Sequence, residues 1–192
     1  MDANYKTIYA DSLVLISLEM YLGKKHRFYE YPEYEKANFE PSQILPDIVQ
    51  DFSVRKVKPP VEKNFLSYMI YAGKQMYLKD ILLPEYTDEV KIGYTSKQLE
   101  WCDAHDVDIW RYFVDNNLLY STNTKLLQNF IAPAPFSKFG MINDSESPGR
   151  TGVWMGWQIV RAYMQNTNAT LQQMLLSDAN DIFKYSKYKP TK

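Results

Sequence analysis

Two histidines, His26 and His105, one cysteine, Cys102, and the acidic run WCDAHDVD (101–108) are where metal or acid–base chemistry in this chain has to come from. A hydrolytic zinc site takes three protein ligands and one open position for water, most often with two histidines four residues apart on one helix face. Here the two histidines stand 79 residues apart, and neither has a His, Glu or Asp at a spacing that makes a familiar zinc motif. No serine sits in a G-x-S-x-G elbow, and no glycine-rich phosphate loop is present. The acids Asp103, Asp106 and Asp108 read as a solvated helix face, with one exception. Stepping through Leu99, Cys102, Asp106, Ile109/Trp110 and Phe113 puts Asp106 on the apolar stripe. A carboxylate there has to be paired or hydrogen-bonded, or it is protonated. The expected role is a structural ion pair, with Arg150 as the first candidate partner; the sharper reading is a ligand-binding acid.

The elements that would position these groups are mostly helices. YKTIYADSLVLISLEMYLG (5–23) opens with β-rich runs, and LVLISLEMYL is too apolar for a solvated edge, so one or two buried strands are predicted there, ended by Gly23. HRFYEYPEYEKANFEPSQ (26–43) is polar, aromatic and broken by Pro32 and Pro41, which predicts a loop or short helix. Ser42 is a candidate N-cap for a helix running to Val57, with Pro46 early enough to be tolerated. Asn64 caps the next, whose apolar positions from Phe65 to Ile81 follow a 3.6-residue period before Pro84. Ser96 opens a helix through residues 97–116, and a shorter one covers Asn123 to Phe130. IAPAPFSKFGMINDSESPGR (131–150) is a long irregular loop, of a kind usually functional or mobile. TGVWMGWQIVRAYM (151–164) is a strongly apolar helix, followed by LQQMLL and DANDIFKYSKY as two more. Within it Gly152 and Gly156 each weaken the helix by about 1 kcal/mol relative to alanine, which predicts close approach of a neighbouring helix. The sum is a mainly α (α+β) fold, a helical domain with a small N-terminal strand element.

Composition narrows the class further. The chain has 192 residues, 45% of them hydrophobic and 23% charged, enough for a core without disulfides or metals. A net charge of −1 offers nothing to nucleic acid, and the lone Cys102 excludes an intrachain disulfide. No run approaches the ~18 apolar residues of a membrane span. MDANYKTIYA has neither a cationic n-region nor an apolar h-region, so the chain is either cytoplasmic or a trimmed piece of something exported.

A set of segments in order, YADSLVLISLEMYLG, ILPDIVQDF, FLSYMIYAGKQMYLKDILLP, KIGYTSKQLEWC, IWRYF, LLYST, IAPAPFSKFG, SPGRTGVWMGWQIVRAYM and KYSKYKP, resembles the gliding-motility lipoprotein GldB family of Bacteroidetes. The similarity covers nearly the whole chain, with APFSKF and SPGRTGVWMGWQIV the most specific parts. It corresponds to the later two-thirds of that family, whose members begin with a lipoprotein signal and a further N-terminal portion. The family is in turn similar to predicted zinc peptidases of the gluzincin type, in which a strand lies over a helix bearing H-E-x-x-H and a second helix bears a Glu ligand. On that layout SLVLISLEMYL is the strand over the cleft. The motif slots fall on Gln50, Asp51, Phe52, Ser53 and Val54, and the third ligand slot, just before Gly73, falls on Ala72. Neither histidine is present and the Glu is absent; Asp51 alone keeps an acid.

The resemblance therefore implies residues 1–192 as a single degenerate zincin-like domain, a pseudo-peptidase without metal or cofactor. It would be lipid-anchored on the periplasmic side of a membrane through an N-terminal lipid not present in this chain. Its expected role is in gliding motility and type IX secretion, through contact with other proteins of that apparatus. The cleft is then a binding groove, expected to be lined by Tyr68, Tyr71, Trp154 and Trp157, with Phe136, Lys138, Phe139, Arg150 and Asp106 as further candidate interaction residues. Two other classes stay open: an active hydrolase with an unusual acid site around Asp51 and Asp106, and a cytoplasmic helical adaptor.

Overall fold

In the computed structural model, residues 6–10 and 12–190 are described. The chain opens with an antiparallel hairpin of β1 (Thr7–Ala10) and β2 (Leu13–Ile16), in register from Thr7↔Ile16 to Ala10↔Leu13. Helices follow: α1 (Glu33–Lys36), α2 (Ile44–Lys56), α3 (Phe65–Leu82), α4 (Asp88–Ile92) and α5 (Ser96–Ala104). The remainder are α6 (Asp106–Asp115), α7 (Lys125–Phe130), α8 (Thr151–Asn166), α9 (Leu171–Leu176) and α10 (Ala179–Ser186). The fold is mainly helical with a small two-stranded sheet at its start, as the sequence pattern predicts.

Local chemistry fixes most of the boundaries. Asn64 caps α3, its side chain accepting from the Ser67 amide at 2.9 Å, and Pro84 follows the helix end. Thr95 and Gln98 form a capping box at the start of α5, and Thr170 and Gln173 repeat it at α9. Helix α2 is entered through a 3-10 turn at Pro41–Gln43, so Gln43 rather than Ser42 stands at its N-cap. The single helix predicted through residues 97–116 is two helices. His105 sits in the joint at φ −112°, its ring stacked on Trp101 at 4.2 Å and its Nδ1 2.8 Å from the Trp101 carbonyl oxygen.

The centre of the molecule is the crossing of α3 and α8, set by two glycines. A Cβ placed on Gly156 would lie 1.9 Å from the Met69 carbonyl oxygen, and one on Gly73 would lie 2.2 Å from that of Gly156. Gly152 faces α7 instead, 2.9 Å from the Phe130 carbonyl oxygen by the same construction. Backbone against backbone leaves the flanking side chains to close the core. Phe65, Phe113 and Phe130 stack edge-on, with Phe65–Phe113 and Phe113–Phe130 ring centroids each 5.1 Å apart. Trp154 and Trp157 are both buried in the same core. Met20, Tyr21, Tyr29 and Phe39 form a separate small cluster in the N-terminal segment.

Two expectations are corrected. Residues Leu13, Val14, Leu15 and Ile16 are all exposed rather than buried, with Leu13 at 54%. In a two-stranded hairpin one strand takes the inner position, and here β1 packs on α2 through buried Thr7 while β2 lies outside. The 131–150 loop is not loose. Ser137 donates its amide to the Pro148 carbonyl at 3.0 Å, and its hydroxyl accepts from the Thr151 amide and hydroxyl at 3.2 and 2.8 Å. The Tyr94 hydroxyl donates to the Gly149 carbonyl at 2.5 Å, pinning the end of the loop.

Candidate binding cleft

Helix α2 packs on one side against α3 and on the other against β1, and a cleft of about 910 Å³ opens along this junction. Gln50 and Asp51 from α2 line it together with Ala72 and Gln75 from α3 and Thr7 from β1. Positions 50, 51 and 72 are thus brought to one place. Val54, the remaining degenerate slot, does not line the cleft and is exposed. The strand over the cleft is β1, not the LVLI run.

The polar side chains here are engaged with each other. The Gln50 amide donates to the Gln75 side-chain oxygen at 2.6 Å, joining α2 to α3. The Thr7 hydroxyl donates to Asp51 Oδ2 at 2.6 Å. Burial raises the Asp51 pKa above the usual carboxylate value, with the Thr7 bond pulling against it and Asp47 adding to it. Asp47 pairs with Lys6 and accepts from the Tyr21 hydroxyl at 2.9 Å. Ser53 points its hydroxyl inward, buried and without a hydrogen-bond partner.

On the far side the cleft is bounded by α4 and the start of α8. Lys79 of α3 is buried and donates to the Lys91 carbonyl at 2.9 Å; Arg150 donates through Nη1 to the next carbonyl, Ile92, also at 2.9 Å. Both side chains line the cleft. Burial, and then the neighbouring Arg150 charge, lower the Lys79 pKa to about 7. Arg150 holds a left-handed backbone, φ 65°, at the N-cap of α8.

Arg150 does not pair with Asp106. Asp106 is buried as its helical stripe predicts, but it accepts a short hydrogen bond from the Tyr188 hydroxyl. The reason is placement along α8: Arg150 stands at that helix's start beside α4, whereas Asp106 faces its later turns, where the C-terminal segment returns. Asp106 belongs to a second cleft of about 880 Å³, with Asp80, Asp103, Gln158, Arg161 and Tyr188 on its walls. Asp51 and Asp106 therefore line different clefts.

Of the aromatics expected in the groove, only Tyr71 lines the α2–α3 cleft. Trp154 and Trp157 are corrected to core residues, 2% and 0% exposed, because the glycine contact draws the first turns of their helix into the interior. Tyr68 is part-buried and lines neither cleft. In the 131–150 loop Phe136 is part-buried and Lys138 exposed, while Phe139 packs on Phe113, Phe130, Trp101 and Tyr112.

A charge network at the second cleft was not anticipated from the sequence. Asp80 accepts from Trp157 Nε1 at 2.8 Å, from Arg161 Nε at 2.7 Å and from Lys91 Nζ at 3.1 Å; Arg161 also reaches Asp88 at 2.6 Å. The Arg161 guanidinium lies 3.8 Å from the Trp157 ring centroid. Burial opposes the Arg161 charge, yet its bonds to Asp88 and Asp80 win and hold its pKa above the ordinary arginine value. The available signal was Trp157-x-x-x-Arg161, a tryptophan and an arginine one turn apart on an apolar helix. Among the described residues, no group of three or more His, Cys, Asp or Glu side chains is placed to hold a metal ion, and no helix is long and apolar enough to cross a membrane.

A helical protein with a polar, amide-lined cleft between its first long helices is the class that this geometry defines. Residues 1–190 match the family model described as gliding motility protein GldB, and the chain belongs to that family. No curated protein and no solved structure matches it.

Proposed function

We propose that this gliding-motility protein works by binding and not by catalysis, contacting other proteins of the gliding and type IX secretion apparatus. It would do so from the periplasmic side of a membrane, held by an N-terminal lipid. The observation that carries the reading is the state of the α2–α3 cleft. Where a gluzincin has two histidines and a glutamate, this chain has Gln50, Val54 and Ala72, and the Gln50 amide is tied to Gln75. The gluzincin comparison belongs to this proposal; it accounts for a helix pair and strand arranged about a cleft whose ligand positions carry no metal-binding side chain. A carboxylate remains at Asp51, but it is held by Thr7 and has no histidine beside it.

Two measurements test this. Elemental analysis of the purified chain should give no stoichiometric zinc; about one zinc per chain would overturn the pseudo-peptidase reading. In complementation of a null strain at matched protein levels, Asp51→Ala should retain gliding and secretion, since no proton transfer depends on it. Phe136→Glu, which places charge at the part-buried ring of the APFSKF loop, should abolish both while leaving the far-ultraviolet circular dichroism unchanged. Loss of function with Asp51→Ala alone would favour a hydrolase.

A further inference from the structure

We propose that the α2–α3 cleft binds a carboxylate group, held between the Lys79 ammonium and the Arg150 guanidinium. The inference rests on the geometry of the cleft and goes beyond the motility role.

The first observation is a pair of like charges with no acid in direct contact, although Asp47 and Asp51 lie farther off on the same cleft. Lys79 and Arg150 donate to consecutive carbonyls, Lys91 and Ile92, at the end of the five-residue α4, and are near enough for the Arg150 charge to disfavour protonation of Lys79. Neither has an Asp or Glu oxygen within ion-pair distance among the described residues. The other cations on the two clefts that are not exposed are treated differently: Lys6 has Asp47, Lys91 has Asp80 and Asp88, and Arg161 has both of those, while Lys187 and Lys189 stand exposed on the second cleft. Lys74 is the structural counterpart, a buried ammonium held by the Leu175 and Ser177 carbonyls, but it stands away from any second cation and lines neither cleft. Capping α4 explains one cation at its carbonyl end. It does not explain two converging on it.

The second observation is donor capacity. A guanidinium carries five N–H donors, and Arg150 uses one nitrogen, Nη1, on Ile92. The remaining nitrogens are not fully enclosed: among the described residues, the fully enclosed side-chain atoms without partners are on His26, Ser53 and Trp154. Arg150 is part-exposed, and it lines the cleft with two of its three side-chain nitrogens uncommitted. Its backbone is left-handed, which is rare for a residue with a side chain.

The third observation selects the anion. Asp47 and Asp51 lie on the same cleft, which disfavours a dianion such as phosphate. A carboxylate carries one charge and offers two coplanar oxygens matched to the guanidinium fork. The charges acting on Lys79 are those of Arg150, Asp47, Lys6 and Asp51, and an added anion would restore its proton.

The test is a chemical-shift titration of the full chain with acetate, with inorganic phosphate, and with two acetylated tetrapeptides. One peptide ends in a free carboxylate; the other is amidated and carries an internal glutamate. Acetate should move the amides of Ile92, Gly93 and Thr151 saturably, and the tighter-binding peptide tells a chain terminus from an acidic side chain. Lys79→Met and Arg150→Gly, the latter suited to the left-handed backbone, should each weaken carboxylate binding at least about tenfold, or ~1.4 kcal/mol. Lys79→Gln serves if the methionine variant does not fold. No saturable shift with acetate or either peptide would overturn the proposal. So would phosphate binding more tightly than every carboxylate, or undiminished binding in the folded variants.

Discussion

Replacing Gly156 with alanine isolates the contact that sets the α3–α8 distance. By helix propensity alone, a glycine-to-alanine change inside α8 should stabilise the chain by about 1 kcal/mol. The structure argues for the opposite sign. The new methyl carbon would stand 1.9 Å from the Met69 carbonyl oxygen and 2.5 Å from its carbon, and these are backbone atoms within α3 that no rotamer change can move aside. Ordinary contact begins at 3.4 Å, so the two helices must part by about 1.5 Å along that line. Overpacking in a rigid core costs about 1–3 kcal/mol. Separation of the helices adds to this, because a gap of 0.5–1 Å already forfeits about a quarter to a half of each dispersion well along the seam. The expected net loss is about 3 kcal/mol or more after the propensity gain. For a chain of this size that is a fall of roughly 6–12 °C in Tm, at about 2–4 °C per kcal/mol. Urea unfolding followed by tryptophan fluorescence and circular dichroism reads it directly. Gly140→Ala is the control: its backbone has φ 81° but nothing lies within 4 Å of the added carbon, so the strain of about 1 kcal/mol comes without a clash. A Gly156→Ala protein as stable as the parent, or more stable, would refute the reasoning.

Asp80→Asn removes the negative charge shared by Arg161 and Lys91 and one of the two acceptor oxygens, leaving both cations with Asp88 as their acid; unfolding stability should fall by roughly 2 kcal/mol or more, measured by denaturant midpoint. Adding Arg161→Met should recover part of that loss, and a fully additive double mutant would contradict the network. For Lys79 the sign runs as follows: its native pKa of about 7 lies below the free-lysine value of about 10.4, so the native chain holds fewer protons than the unfolded chain between the two. Its stability penalty is full below pH 7 and fades as pH rises towards 10. Lys79→Met should therefore gain most over the parent at low pH and progressively less above neutrality, and an advantage that grows with pH would show that Lys79 is not a buried, depressed base.

What the sequence disclosed was whatever depends on near neighbours. The stripe from Phe65 to Ile81, the Asn64 cap and the turn chemistry around Pro84 are all local, and they specify α3 closely. The weak helix formers Gly152 and Gly156 implied close packing without saying against what; Gly156 meets α3 and Gly152 meets α7. The LVLI run misled because a short apolar strand carries no record of whether anything covers it, and coverage here is decided by which hairpin strand reaches α2. Asp106 was placed correctly on its stripe, yet its partner Tyr188 is 82 residues away, beyond any local rule. The cleft shows both sides of this. Gln50, Asp51 and Ala72 line one cleft and Val54 does not, and the cation pair on the opposite wall depends on α3, α4 and α8 meeting, which no single segment announces.

The N-terminal wall of the cleft is attached differently from the floor. The described residues of 6–43 bury their own small cluster, on which Ile44 packs, and meet the helices through the Lys6–Asp47 pair, the Tyr21–Asp47 and Thr7–Asp51 hydrogen bonds, Asn38 to Gly93 and Gln43 to Val90 at 3.1 Å each, and the Tyr9 ring on Phe52. The floor is closed by apolar contact and touching backbones. These two kinds of attachment respond differently to salt. Ionic strength acts on the charged tie of the wall more than on the apolar floor, while cooling weakens apolar contact in both. The molecule thus has an outer panel more responsive to the salt around it than the chassis beneath.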